Sequence, residues 1–189
     1  MQKMNYWGEK WDLHVEMCPC DVHVNEWVEA RRLSGKTIFH FGTGTHHIVG
    51  QRQAELGNSV LAITASKEEY EAYVVLVTEN ARVAKSYIAY FGDIYLTNPR
   101  LLPDFDVVTM IHLCEFSHPN TDSEEYGGLS DRQLLDLFTS KTKPGGHIIF
   151  YTGSKDFHVS GPLISEWAKV APVKRVDDFK TLMIYQKTS

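Results

Sequence analysis

The chain is poor in the features that mark secreted, membrane-bound or nucleic-acid-coating proteins. Its cysteines number three, Cys18, Cys20 and Cys114, an odd and sparse set that argues against a disulfide framework and for a reducing compartment. No stretch approaches the ~20 consecutive apolar residues of a membrane span, and the opening Met1 to Lys10 is polar and aromatic without the apolar core of a signal peptide. A cytoplasmic protein with no membrane partner is the expectation. Long basic runs are missing too, and the formal net charge is -5, so a strong phosphate-neutralising surface is not written here and DNA or RNA partners drop in rank. Internal repeats and low-complexity linkers are absent. The remainder, 189 residues of which 43% are hydrophobic and 23% charged, is the length and composition of a globular domain with a sizeable core.

Short β-branched or aromatic runs alternate with longer stretches of helical period, the pattern of a parallel α/β domain. Strands are predicted at Thr37 to Phe41, Ser59 to Thr64, Tyr87 to Phe91, Phe105 to Ile111, His147 to Thr152, Val173 to Val176 and Leu182 to Gln186. The last pair is close in sequence and is therefore read as antiparallel. A helix is expected over His46 to Leu56, closed by Gly57. A second buries Tyr70, Tyr73, Val74, Val77, Ala81 and Ala84, with Ser66 and Glu69 at capping-box spacing. A third opens on Ser130 and Gln133, buries Leu134, Leu137 and Phe138, and stops before Lys143-Pro144-Gly145-Gly146. Residues 1 to 33 form an N-terminal extension before the domain at 34 to 189. Val24, Trp27 and Val28 mark a helix in it that Asp21 could cap, and the stretch holding Trp7 and Trp11 reads equally as a lid, a dimer contact or a strap.

Chemistry concentrates first at Phe39-His40-Phe41-Gly42-Thr43-Gly44, an apolar strand breaking into a Gly-x-Gly turn. Glycine there permits unusual backbone angles and lets a ligand approach main-chain N–H groups, although an ordinary tight βα turn has the same pattern. Downstream come Ala62-Ile63-Thr64-Ala65-Ser66, Gly92-Asp93-Ile94, Phe105-Asp106-Val107-Val108 and Lys143-Pro144-Gly145-Gly146. In this order and spacing, with a two-strand antiparallel tail, the segments from about residue 37 to 187 resemble the class I S-adenosylmethionine-dependent methyltransferases.

That resemblance implies a single Rossmann-like domain: seven mostly parallel strands in the order 3-2-1-4-5-7-6, an antiparallel terminal strand, and helices on both faces. It implies S-adenosylmethionine as cofactor, lying across the carboxyl ends of the strands, which is also the general location for open α/β sheets. The positions it assigns to the cofactor are His40, Gly42, Thr43, Gly44, Thr64, Ser66 and Asp93. The chain departs from the family pattern at three places, two of these and His46. His40 stands where an acid commonly supports the amino-acid end, His46 replaces the third glycine, and Thr64 stands where an acid commonly pairs with the ribose hydroxyls. A neutral His40 can still accept one hydrogen bond, and Thr64 or Ser66 can each satisfy one hydroxyl; for Ser66 the helix-cap role ranks first. Asp93 matches the acid that contacts the adenine amino group, and reads equally as support for the turn after strand three.

The acceptor side falls on the loop from Ile111 to Leu129, which contains His112, Cys114, Glu115, His118, Asp122, Glu124 and Glu125. His112, Glu115 and His118 are the catalytic candidates, a histidine base being the natural choice near neutrality, against the plainer reading of a solvated acidic loop. Nothing after strand four resembles the Asn/Asp-Pro-Pro-aromatic motif of enzymes that methylate planar amides or base amino groups. Cys18, Cys20 and His23 lack a paired Cys-x-x-Cys and a fourth ligand, and on a helix His46 and His47 diverge by about 100 degrees, so no metal is expected. The leading function is methyl transfer to a small molecule. The alternatives are an inactive methyltransferase-like binding or interaction module, for which His40, His46 and Thr64 argue, and a nicotinamide-dependent oxidoreductase, disfavoured by His47 at that fingerprint's third glycine and by the missing acid after strand two.

Overall fold

The structure, a computed structural model, describes residues 5–116 and 127–189. Seven strands, β1 (Thr37–Phe41), β2 (Ser59–Thr64), β3 (Tyr87–Phe91), β4 (Phe105–Thr109), β5 (Thr142–Tyr151), β6 (Val173–Phe179) and β7 (Leu182–Lys187), form one sheet in the order β3-β2-β1-β4-β5-β7-β6. The pairings from β3 through β5 are parallel, and β7 runs antiparallel to both β5 and β6. Strand order and orientation are those the sequence implied.

The two-residue period of the strands divides the core between the two faces. Phe39, Phe105, Val108, Ile148, Phe150 and Met183 face α5 (Asp131–Lys141) and α6 (Phe157–Val170), which contribute Leu134, Leu135, Phe138, Ile164 and Trp167. Ile38, Val60, Ala62, Val107, Ile149 and Ile184 face the other side, where α1 (Cys20–Ala30), α2 (Ile48–Glu55), α3 (Lys67–Glu79) and α4 (Ala81–Ala84) pack. Asn25, Gln53 and Asn58, all buried, link α1 to α2 in a chain of amides: Gln53 Nε2 donates to Asn25 Oδ1 at 2.8 Å and Asn58 Nδ2 to Gln53 Oε1 at 2.8 Å. Among the described residues no helix is long and apolar enough to cross a membrane.

Several local expectations change. α2 starts at Ile48, because His47 adopts left-handed angles (φ 47) and ends the turn there. Its far end is as expected: Gly57 (φ +79) lets its own N–H reach Ala54 O and that of Asn58 reach Gln53 O, the glycine-closed helix end. β4 stops at Thr109, two residues early, as the chain turns over Ile111 to Glu115. Lys143-Pro144-Gly145-Gly146 lies inside β5, in an irregularity where Thr142 pairs with Phe105 and His147 with Val107. The capping box of Ser130 and Gln133 is present, burying Leu135 where Leu137 was expected to be fully covered. Ser66 and Glu69 form none: Ser66 makes no side-chain cap bond, and Glu69 turns inward. Asp21 likewise caps nothing, Pro19 being the N-cap residue of α1. In α3 the covered face is Tyr73, Leu76 and Val77, with Val74 44% exposed; the helix then breaks at Asn80 (φ -127, ψ 88), whose side chain caps α4, and there Val83 is buried while Ala81 and Ala84 are exposed.

The segment before α1 crosses the carboxyl ends of β1 and β2. Trp7 N–H donates to Ala65 O at 3.0 Å, Trp11 N–H to Glu69 Oε1 at 3.1 Å, and Thr45 N–H to Trp11 O at 2.8 Å. Of the three readings of Trp7 and Trp11, this geometry is that of a strap.

Candidate functional site

Under the strap, at the carboxyl ends of β1, β2 and β4, lies a cavity of about 440 Å³. Its walls carry the apolar Phe41, Ile63, Phe116, Trp7 and Trp11 together with many polar and charged groups, a concave mixture that suits a polar small molecule. Eight sequence candidates line it: Gly42, Thr43, Gly44, Thr64, Ser66, Asp93, His112 and Glu115. His118, with the acidic residues that follow it, lies outside the described residues.

The glycine turn is built by necessity. Gly42 and Gly44 have φ of +85 and +55, and Gly42 N–H donates to Ile63 O at 3.2 Å. A Cβ on Gly42 would sit 2.9 Å from His112 Cδ2, and one on Gly44 2.4 Å from His46 Nε2. The room left by both glycines is therefore shared with two imidazoles. His47 points away: its Nε2 must donate to Glu69 O (2.8 Å), which leaves Nδ1 to accept from the Tyr87 hydroxyl (2.8 Å).

His40 lies beneath the cavity and does not line it. Its ring is 2% exposed, with Nδ1 2.9 Å from Thr109 Oγ1 and Nε2 3.5 Å from Asp21 Oδ1. Burial, reinforced by His112, His46 and His47, pushes it down to about 3, so it is neutral. The group facing the cavity there is Asp21, from the first turn of α1, whose other oxygen is 3.6 Å from His46 Nε2. Loss of water raises the Asp21 carboxyl to about 7 against the opposing pull of His112, and burial brings His46 down to about 4.

The end of β2 shows a parallel exchange. Thr64 Oγ1 donates to Glu69 Oε2 at 2.7 Å and accepts from Ser66 N–H at 3.0 Å; Thr43 Oγ1 donates to the same carboxylate oxygen at 3.1 Å. Glu69, 7% exposed and on the cavity wall, is thus an acid delivered by α3 to the place where the strand carries threonine. Asp93 both lines the cavity and supports its turn, accepting from Tyr95 N–H at 2.9 Å.

On the opposite wall His112 Nδ1 is 3.1 Å from Glu115 Oε2, and Ser154 Oγ donates to Glu115 Oε1. Burial disfavours the His112 cation, but the Glu115 hydrogen bond and the negative charges of Glu115, Asp21 and Cys18 outweigh it and raise its pKa. Glu115 is lowered, the His112 and Ser154 hydrogen bonds overcoming its own burial. The pairing fixes the Nδ1–H tautomer of neutral His112 and leaves Nε2 as a base.

Sequence reasoning missed Asp21, Glu69, Cys18, Cys20 and Tyr151 as cavity residues. For Asp21 and Glu69 the only local signal was an acid in the first turn of a helix, which has an adequate explanation in capping and the helix dipole.

No family model matches the chain, and no curated protein matches it by sequence. Solved structures do match. The N-methyltransferase NodS from Bradyrhizobium japonicum is 11% identical with a TM-score of 0.62, over 91% of this chain and 98% of that one. Its complex with S-adenosyl-L-homocysteine gives the same score and identity over 89% and 87%. The tRNA m1G37 methyltransferase from M. jannaschii is 11% identical with a TM-score of 0.62, over 95% of this chain and 52% of that one. The chain has the Rossmann-like class I methyltransferase fold.

Proposed function

We propose that this chain is an S-adenosylmethionine-dependent methyltransferase acting on a small-molecule acceptor. The observation that carries the reading is the pair of buried carboxylates, Asp21 and Glu69, on the cavity wall beside His40 and Thr64, the two positions where the resemblance calls for acids on the strands. Each missing acid has a substitute from a neighbouring helix.

The residues fit the cofactor. Glu69 takes three donors, from Trp11, Thr43 and Thr64, of about four that a carboxylate accepts; with the two threonine hydroxyls it suits a ribose diol. Asp21 suits the ammonium of the amino-acid end, whose positive charge would favour the carboxylate that burial now disfavours. Asp93, with Ile63 and Ile94 on the same wall, suits an adenine. When bound, S-adenosylmethionine supplies an electrophilic methyl group on a sulfonium. The chain's part is to align the acceptor and exclude water. His112 Nε2 takes the acceptor's proton as the nucleophile attacks, and Glu115 holds the ring and stabilises the imidazolium. A small acceptor is supported by the strap over the cavity and by the net charge of -5.

The test is methyl transfer from labelled S-adenosylmethionine to a panel of small amines, phenols and thiols. Activity is expected, with His112→Ala lowering kcat by roughly 10²- to 10⁴-fold and Glu115→Gln moving the acidic limb of the kcat profile to lower pH. An unchanged kcat in His112→Ala contradicts the base assignment. Cofactor binding without turnover on any acceptor would favour the inactive binding module.

A further inference from the structure

Cys18 and Cys20 flank Pro19 where the strap turns into α1, and neither thiol has a part in the proposed methyl transfer. Their Sγ atoms are 3.3 Å apart, about 1.3 Å beyond a disulfide bond. The approach is built: Met17 and Cys18 N–H both donate to His14 O, at 3.0 and 2.8 Å, and form the turn that sets Cys18 over the first residue of the helix. Both line the cavity, Cys18 half-buried and Cys20 2% exposed behind it.

The two thiols are chemically unlike. The contact with the Cys20 sulfur, helped by the nearby His112, lowers Cys18 against its burial, while Cys20 donates to Asp21 Oδ1 at 3.6 Å. Cys20 is raised well above the ordinary thiol value by that same contact with Cys18, by burial and by the adjacent Asp21. A thiolate at the cavity wall with a protonated thiol behind it is the division of labour in which one sulfur attacks and the other resolves. Cys114 stands apart, its amide bound to Asp131 and its thiol pushed up to about 12 by burial and that carboxylate.

We propose that Cys18 and Cys20 form a thiol–disulfide exchange site that takes low-molecular-weight disulfides through the cavity, with Cys18 attacking and Cys20 resolving. The Cys18 thiolate attacks one sulfur of R–S–S–R; a Cys18–S–S–R bond forms and R–S⁻ leaves. Cys20 gives its proton to that thiolate and attacks Cys18 Sγ, forming the Cys18–Cys20 disulfide and releasing a second R–S⁻. The protein dithiol loses two electrons and the small disulfide gains them.

The probe is cystamine, a small disulfide that can reach Cys18 through a cavity whose wall carries Asp21 and Glu115 alongside His112, Lys10 and Lys155. Intact mass after an acid quench is expected to show the loss of two hydrogens, one remaining free thiol, and a peptide map joining Cys18 to Cys20. Cys20→Ser should accumulate a cysteamine adduct on Cys18, and Cys18→Ser should leave Cys20 unreacted. Because Cys20 is buried at a helix start and its variant can unfold, the unaltered protein supplies a second readout: the iodoacetamide rate at Cys18 should be half-maximal at a pH clearly below the ordinary thiol value. Survival of all three thiols, a bridge that includes Cys114, an adduct on Cys18 that never resolves, or a midpoint near the ordinary thiol value of about 8.5 would overturn the proposal.

Discussion

Asp21 shows how one buried residue sets a pH dependence. Its carboxyl is raised to about 7 in the fold from an ordinary 3.8, so between those values the native state holds more protons than the unfolded one and stability falls as pH rises through 7. His40 and His46 act on the other side. Held down to about 3 and about 4 from 6.5, they leave the unfolded state with more protons below 6.5, and stability falls as pH drops towards 4. Replacing the carboxyl relieves only the first effect. Asp21→Asn should therefore gain stability relative to the unaltered protein as pH goes from 4 to 8, measured by urea unfolding across that range; a difference that stays flat contradicts the buried-acid assignment. At this scale the sequence revealed the cavity positions that sit directly after strands, such as Gly42, Gly44 and Asp93. It misplaced His40, because a strand residue facing a cavity floor and one sealed beneath it have the same local pattern. It also hid Asp21 and Glu69, whose partners lie on other elements.

Among the elements, α1 and α2 matter most to the site, since α1 brings Cys20 and Asp21 to the cavity and α2 begins at the glycine turn. Their relative position is fixed by the buried amides of Asn25, Gln53 and Asn58, extended by Asn25 Nδ2 to Ile48 O and by Lys36 N–H to Asn58 Oδ1. Gln53→Met would keep the volume and leave Asn25 Oδ1 and one Asn58 proton without their Gln53 partners in a buried site. A loss of about 1–3 kcal/mol is expected from urea unfolding, and a change within about 0.5 kcal/mol would show that the network contributes no more than a surface pair. Element boundaries were legible where propensity and burial agreed, as in β1, β2 and β3. They were not where the tertiary structure took over. Asn80 divides one helical period into α3 and α4, and Gly145 (φ +78) lets β5 carry its irregularity where the sequence reads as a stop.

Over the whole molecule, the alternation of strands and helices pointed to a parallel α/β sheet, and the strand order came from the resemblance alone. The cavity's location followed from the general rule for open α/β sheets, and its chemistry did not: the carboxylates on its wall beside His40 and Thr64 are Asp21 of α1 and Glu69 of α3, which the proposed function reads as substitutes for acids on β1 and β2. That exchange is the centre of the functional reading, and binding of S-adenosylhomocysteine measures it without knowledge of the acceptor. In calorimetric titrations of the unaltered protein, Asp21→Asn and Glu69→Gln, the unaltered protein should bind with roughly micromolar affinity and each variant about 10- to 100-fold more weakly, the effect of losing one hydrogen bond to a charged group. Absence of heat at millimolar ligand, or equal affinity in all three proteins, would contradict it.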